Sequence, residues 1–359
     1  MSELTQDPLV FVGSYASAEW DSIHLLRLDR GNGSLIRIGK ASGIANPTFQ
    51  AIDAARGLLF AVSETESDGT VVSYRYDGAS GTIREINRQP TNGGLPCHLQ
   101  LHPSGKWLLV VNYLNGRAVS VYPLDADGTI GTPAYQVNHA GAGTHPIRQD
   151  GPHPHSIFRI PGTDNYLVPD LGTDLVYSYG LDTMTGKLNV LAENLMFTGG
   201  GPRHLAFHPR LPIVYVIHEM GAAVTVHHLE TRTGKLSEVQ RLSTLQGHRA
   251  DTYPSSEICA EILVSESGTY LYGSNRQADT IAVFKIASDG SLEMIGNVHS
   301  AGRKPRSFTL VKGSRYLLVA NQDSDRIVVF EIGNDGIPYP NGHCYEVTRP
   351  AFIGAIVGP

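Results

Sequence analysis

Cysteine is scarce in this chain. Its three residues, Cys97, Cys259 and Cys344, are odd in number, widely spaced and without a CxxC pair. That excludes a disulfide framework and points to a reduced, cytoplasmic protein. Charge is scarce too: 17% of residues are Asp, Glu, Lys or Arg, against about 25% in an average domain. With a net charge of −6, nucleic acid and anionic membranes are disfavoured as partners. No apolar run approaches the ~18 residues that read as a membrane-crossing helix. The opening MSELTQDPLV has no basic stretch followed by an apolar one, so no secretory leader is expected. Helical periodicity is nowhere sustained, which disfavours a mixed α/β fold.

What the chain has in abundance is glycine, 39 residues, together with short apolar runs rich in Val, Ile and Tyr. One unit recurs. A short strand opens near a Pro and crosses a Gly turn into an apolar strand that ends on a polar residue. An alternating strand, a second Gly turn and a last strand complete it. The clearest copy is PCHLQLHPSGKWLLVVNY (Pro96–Tyr113) followed by AVSVYPLDADGTI (Ala118–Ile130), and others open at Pro47, Pro154, Pro202, Cys259 and Pro305. The turn glycine before the last strand marks seven copies: Gly33, Gly81, Gly128, Gly186, Gly234, Gly290 and Gly336. A period of about 50 residues with four short strands is the signature of a β-propeller. The expected fold is therefore all-β, a seven-bladed propeller of four-stranded blades forming a single domain over residues 1–359. The first copy lacks its opening strand, and RPAFIGAIV (Arg349–Val357) follows the seventh glycine. Pairing of the two would close the ring and remove two open sheet edges. The Trp-Asp dipeptide occurs once, at Trp20–Asp21, so the repeats are not of the WD40 type.

Two intervals are longer than the rest by about ten residues. The insertions fall around HAGAGTHPIRQDGPHPH (139–155) and LQGHRADTYPSSE (245–257). In a four-stranded meander, the loop into strand one, the start of strand one and the end of strand two share a face. Both loops should thus overhang one rim, where function is usually carried. The residues just past each second strand are Tyr15, Glu64, Tyr113, Asp170, Glu219, Arg276 and Gln322. Those after each opening Pro, or its equivalent, are Thr48, Cys97, His155, Arg203, Ala260, Arg306 and Ala351, with His98, His204 and Glu261 adjacent. Such a ring makes a polar pocket with several Arg and His, which suits an anionic small molecule because Arg recognises carboxylate and phosphate bidentately. The histidines at 139, 145, 153 and 155 lack a zinc spacing and have no nearby Cys, so no metal is expected. Cys97 and Cys259 are expected inside packed blades. Arg148 and Gln149 either hold their loop down or reach the ligand.

At these positions the sequence resembles the seven-bladed lactonase family, which includes the bacterial propeller-type 6-phosphogluconolactonases and the fungal 3-carboxy-cis,cis-muconate lactonizing enzyme. The matching stretches are RQDGPHPHSI (148–157), GGGPRHLAFHP (199–209), VIHE (216–219), CAEILVSESGTYLYGSNR (259–276) and GSYAS (13–17), so the resemblance spans essentially the whole chain. It implies a catalytic histidine at His155, substrate arginines at Arg203 and Arg276, and the family's acidic residue at Glu219. The expected reaction is hydrolysis of a sugar lactone, above all 6-phosphoglucono-1,5-lactone, with no metal or organic cofactor. His155 would act as base, since imidazole titrates near neutral pH. Glu219 would orient it, or be the base itself if desolvation raises its pKa. Arg203 and Arg276 would stabilise the oxyanion or clamp the anionic group. His98, Arg148, Gln149, His204, Arg306, Glu64 and Asp170 are further substrate-binding candidates. A carboxymuconate-type cycloisomerase and a non-catalytic propeller that binds a protein partner are the alternatives. A monomer acting on a small anionic substrate is the expected state.

Overall fold

The computed structural model describes residues 7–247, 257–313 and 315–357, with nothing stated for the side chains of 115 and 116. Its β-strands form seven four-stranded antiparallel sheets, and a three-residue 3-10 turn at Gln322–Ser324 is the one helical element described. Each sheet is a blade. Blade one takes its inner strand from the far end of the chain: Pro350–Ile356 pairs with Leu9–Ser14, and Ile23–Leu28 and Leu35–Ala41 follow outward. The expected closure is therefore made, Pro350–Ile356 within the RPAFIGAIV stretch supplying the strand that the first copy lacks. The other inner strands are Gln50–Asp53, Gly93–Leu101, Phe158–Arg159, Pro202–Phe207, Cys259–Val264 and Pro305–Leu310, for blades two to seven. Among the described residues no helix is long and apolar enough to cross a membrane.

The core lies between blades. Seven apolar clusters fill the seven interfaces between neighbouring sheets, from Leu25 and Tyr74 between blades one and two to Leu318 and Leu26 between seven and one. A second strand is packed on both faces, which explains why it reads as a continuous apolar run. Leu58–Ser63, Ile213–His218 and Tyr316–Asn321 are buried at every position. Outer strands such as Lys235–Ser243 are largely exposed and correspondingly polar.

All seven marker glycines have positive φ, between 69° and 96°. Each turns the third strand into the fourth. At Gly81 the requirement is twofold, because a Cβ would lie 1.7 Å from the Ile38 carbonyl oxygen of the neighbouring blade. Only glycine combines that φ with that approach.

One feature of the inner strands positions the site. In several blades the pairing skips one residue at the start. Pro96 and His98 pair but Cys97 does not, Pro202 and His204 but not Arg203, Pro305 and Ser307 but not Arg306. Such bulges re-aim side chains. Here they let neighbouring residues, Arg203 and His204, both reach groups lining the central channel.

Candidate active site

Glu219 stands one residue past the strand Ile213–His218 and is 4% exposed. Its carboxylate gathers side chains from three blades and a loop. Arg203 Nε donates to Oε2 at 2.9 Å from the start of blade five's inner strand. Arg276 Nη2 reaches the same oxygen at 2.7 Å from blade six. Arg148, on the long loop into blade four, donates its Nη2 to Oε1. His155 of blade four presents Nε2 at 3.9 Å from Oε2. The four residues implied by the family resemblance, His155, Arg203, Glu219 and Arg276, thus meet at one place.

Charge and burial set their protonation. Burial would raise the Glu219 pKa, but Arg276, Arg203 and Arg148 outweigh it and hold the carboxyl far below its usual range. The condition under which Glu219 would serve as base, a pKa raised by desolvation, is therefore not met. His155 is pushed well below the usual imidazole range, first by burial and then by Arg203, His204, Arg306 and Arg276. It is neutral at neutral pH. Arg203 is lowered to about 10 by burial and by Arg276, so it stays a cation.

On the far wall of the same mouth, Glu64 stands one residue past Leu58–Ser63. Its Oε1 accepts from the Tyr15 hydroxyl at 2.9 Å, and its Oε2 accepts from the Thr48 hydroxyl. Arg306 Nη2 lies 4.0 Å from Oε2. Its guanidinium sits over the Tyr15 ring, 5.1 Å from the centroid.

Below this layer the channel is floored by rings. His98 is tilted against Phe49 at 3.8 Å and Phe158 at 4.9 Å, and burial pushes its pKa well down. His204 donates through Nδ1–H to Glu261 Oε1 at 2.9 Å, and its ring centroid is 5.5 Å from those of both His98 and His155. His98 is a floor residue rather than a mouth residue, which differs from the expected role.

Two other expected ligand residues are engaged elsewhere. Asp170 is fully buried: Oδ1 accepts from the backbone N–H groups of His153, Gly172 and Thr173, and Oδ2 pairs with His139 Nδ1 at 2.6 Å. His139 continues to the Tyr179 hydroxyl at 2.9 Å. Asp170 fastens the 139–155 loop instead of facing the mouth. Gln149 does the same, donating to Leu171 O and Asp174 Oδ1 while its oxygen accepts from the N–H groups of Thr144 and His145. Of the pair left open by the sequence, Gln149 holds the loop and Arg148 reaches into the site. Most of the second long loop, 248–256, lies outside the described residues. Glu257 at its end accepts from the N–H groups of Gln277 and Ala278, just past Arg276.

Cys97 and Cys259 lie in interblade clusters. The Cys97 thiol donates to the His155 carbonyl at 3.3 Å and is pushed well up by burial; burial also raises the Cys259 thiol to about 12. Neither is poised as a nucleophile. Sequence reasoning named Tyr15, Thr48 and Tyr113 only as ring members. Tyr113 stacks on His153 at 4.6 Å, meets His155 edge-on at 5.7 Å and accepts from Arg148 at 3.4 Å. Its register, equivalent to Glu219, was the available signal.

The model of the lactonase family with a 7-bladed β-propeller matches residues 9–353. The chain belongs to this family. It is 30% identical over 299 residues to the 6-phosphogluconolactonase of Bacillus subtilis, covering 83% of each chain. It is 31% identical over 298 residues to that of Pectobacterium atrosepticum, covering 82% of this chain and 83% of the other. Among solved structures, the periplasmic gluconolactonase of Pseudomonas aeruginosa superposes with a TM-score of 0.89 at 27% identity, covering 98% of this chain and 99% of that one.

Proposed function

We propose that this protein hydrolyses a sugar lactone, 6-phosphoglucono-1,5-lactone, to the open-chain phosphosugar acid. The observation that carries the reading is a neutral imidazole, His155, 3.9 Å from an ionised carboxylate, Glu219, among guanidinium groups. The lactonase names of the relatives in Bacillus subtilis and Pectobacterium atrosepticum support it.

Hydrolysis of a lactone needs a base for water and donors for the oxyanion. Neutral His155 takes the proton of a water as its oxygen bonds to the lactone carbonyl carbon. Glu219, ionised beside Nε2, stabilises the imidazolium that forms. N–H donors of Arg203 and Arg276 not engaged by Glu219 face the developing oxyanion. Collapse of the tetrahedral intermediate breaks the bond from that carbon to the ring oxygen, which takes the proton back from His155. An anionic substrate also reduces the positive potential that depresses His155, so its binding strengthens the base. The free cysteines support a reducing compartment, the cytoplasm.

The test is a coupled assay on freshly generated 6-phosphoglucono-1,5-lactone beside glucono-1,5-lactone. Turnover that survives unchanged in both His155→Ala and Glu219→Gln would sink the proposal, as would inactivity of the parent on both lactones.

A further inference from the structure

Four arginines face the channel mouth, and three are engaged. Arg203 donates to Glu219 and to the Ala260 carbonyl, Arg276 donates to the Cys259 and Ile258 carbonyls and is ion-paired with Glu219, and Arg148 donates to Glu219 and Tyr113. Arg306 differs. Among the described residues no hydrogen bond falls on its guanidinium, and the nearest carboxylate oxygen, on Glu64, is 4.0 Å away. That carboxylate is satisfied by two hydroxyls, from Tyr15 and Thr48, instead of by Arg306. The Arg306 guanidinium carbon sits over the Tyr15 ring, 5.1 Å from the centroid, a ring it shares with the exposed Arg349 at 5.3 Å. A cation–ring contact uses none of an arginine's N–H edges. The side chain is 13% exposed, so those edges are reachable from the mouth.

We propose that Arg306 is the anchor for the phosphate of the substrate and sets the preference for a phosphorylated over a neutral lactone; this rests on the lactonase reading above. Charge balance agrees. Arg148, Arg203, Arg276 and Arg306 outnumber the carboxylates around them, Glu64, Glu219 and, beside Arg203, Glu261, which leaves the mouth net positive. A phosphate dianion is drawn to that surplus, and a planar fork of N–H donors matches its oxygens. Arg203 and Arg276, the clamp candidates read from the sequence, are instead tied to Glu219. The anchor and the reacting group then occupy opposite walls. The phosphate would lie by Glu64 and the lactone carbonyl by Glu219.

The experiment compares kcat/KM for the two lactones in the parent, Arg306→Gln, Arg306→Lys and Arg203→Gln. In the parent the phosphorylated lactone is preferred. In Arg306→Gln the ratio of the two kcat/KM values falls about 100-fold, mainly through KM. Arg306→Lys keeps the charge and loses the fork, so it recovers part of the ratio and guards against a misfolded Gln variant. Inorganic phosphate inhibits the parent competitively and raises its melting temperature; both effects are lost in Arg306→Gln. The proposal is overturned if the parent shows no preference, or if Arg306→Gln keeps it while Arg203→Gln loses it. If the parent hydrolyses neither lactone, the lactonase reading falls by itself. The phosphate-dependent melting shift then decides the anchor: present in the parent and absent in Arg306→Gln supports it, equal in both refutes it.

Discussion

Glu64 and Glu219 occupy the same place in blades two and five, one residue past the second strand, and each meets a partner at the same separation of 16 residues in its own blade. The scaffold relation is identical and the chemistry is not. In blade five the partner is Arg203, and Arg276 and Arg148 add two further cations. In blade two the partner is Thr48, and the neighbouring blade adds the Tyr15 hydroxyl. A repeat thus supplies a standing donor–carboxylate pair, and the donor decides what the carboxylate becomes. Three cations make Glu219 a fixed charge beside His155. Two hydroxyls leave Glu64 satisfied without consuming Arg306.

The contrast can be broken most strongly at the carboxylates themselves. Removing one partner of a buried ion pair leaves uncompensated charge, at a cost of about 3–5 kcal/mol. Glu219→Ala is expected to lose that much stability in urea unfolding, since three arginines would then face one another. Glu64→Ala, which strands two hydroxyls, should lose about 1–2 kcal/mol. Equal losses would show that the two walls are energetically alike.

Activity separates them next. His155→Ala should lower kcat by about 1,000-fold, in the range of general-base catalysis. Glu64→Gln should lower it by less than about tenfold, because it touches no reacting atom in this reading. A kcat ranking in the opposite order would move the chemistry to the Glu64 wall. Arg148→Met, which keeps the stem and removes the bridge to Glu219, is expected to raise KM by about tenfold. Its effect on stability should stay under about 1 kcal/mol, because the side chain is a third exposed and screened. Steady-state kinetics and a melting curve measure both.

The smallest effect is in pH. His155 is depressed in the folded protein, so its neutral form persists below the ordinary imidazole pKa of about 6.5. The acid limb of kcat/KM should therefore lie below pH 6.5, activity being retained above it and lost as pH falls through the depressed value. Arg306 is one cause of the depression. Arg306→Gln, assayed on glucono-1,5-lactone, should move the limb upward. A downward shift would contradict the assignment of His155 as base.

Much of this was readable from the chain. The seven turn glycines located the blades because the φ they adopt is strained for other residues. The continuous apolar second strands announced sheets packed on both faces. His155, Arg203, Glu219 and Arg276 fell on matching ends of successive strands, and strand geometry alone puts those ends on one rim. Asp170 shows where such reasoning stops. It shares the register of Glu219, yet its oxygens are taken by loop N–H groups and His139. Register tells which rim a residue stands on and not which way its side chain is claimed. Arg203 and His204 show a second limit, since alternation assigns neighbours to opposite faces and only the bulge between Pro202 and His204 brings both to the channel.

By itself the sequence determined the repeat, the number of blades, the closing strand and the ring of polar positions, because these follow from local turn chemistry and strand periodicity. Only the tertiary structure decided that Glu219 is crowded by three arginines while Arg306 keeps its donors, that Arg148 crosses from the long loop and that Gln149 and Asp170 hold that loop in place. Those outcomes depend on contacts across the channel between residues of different blades, whose distances no local pattern encodes.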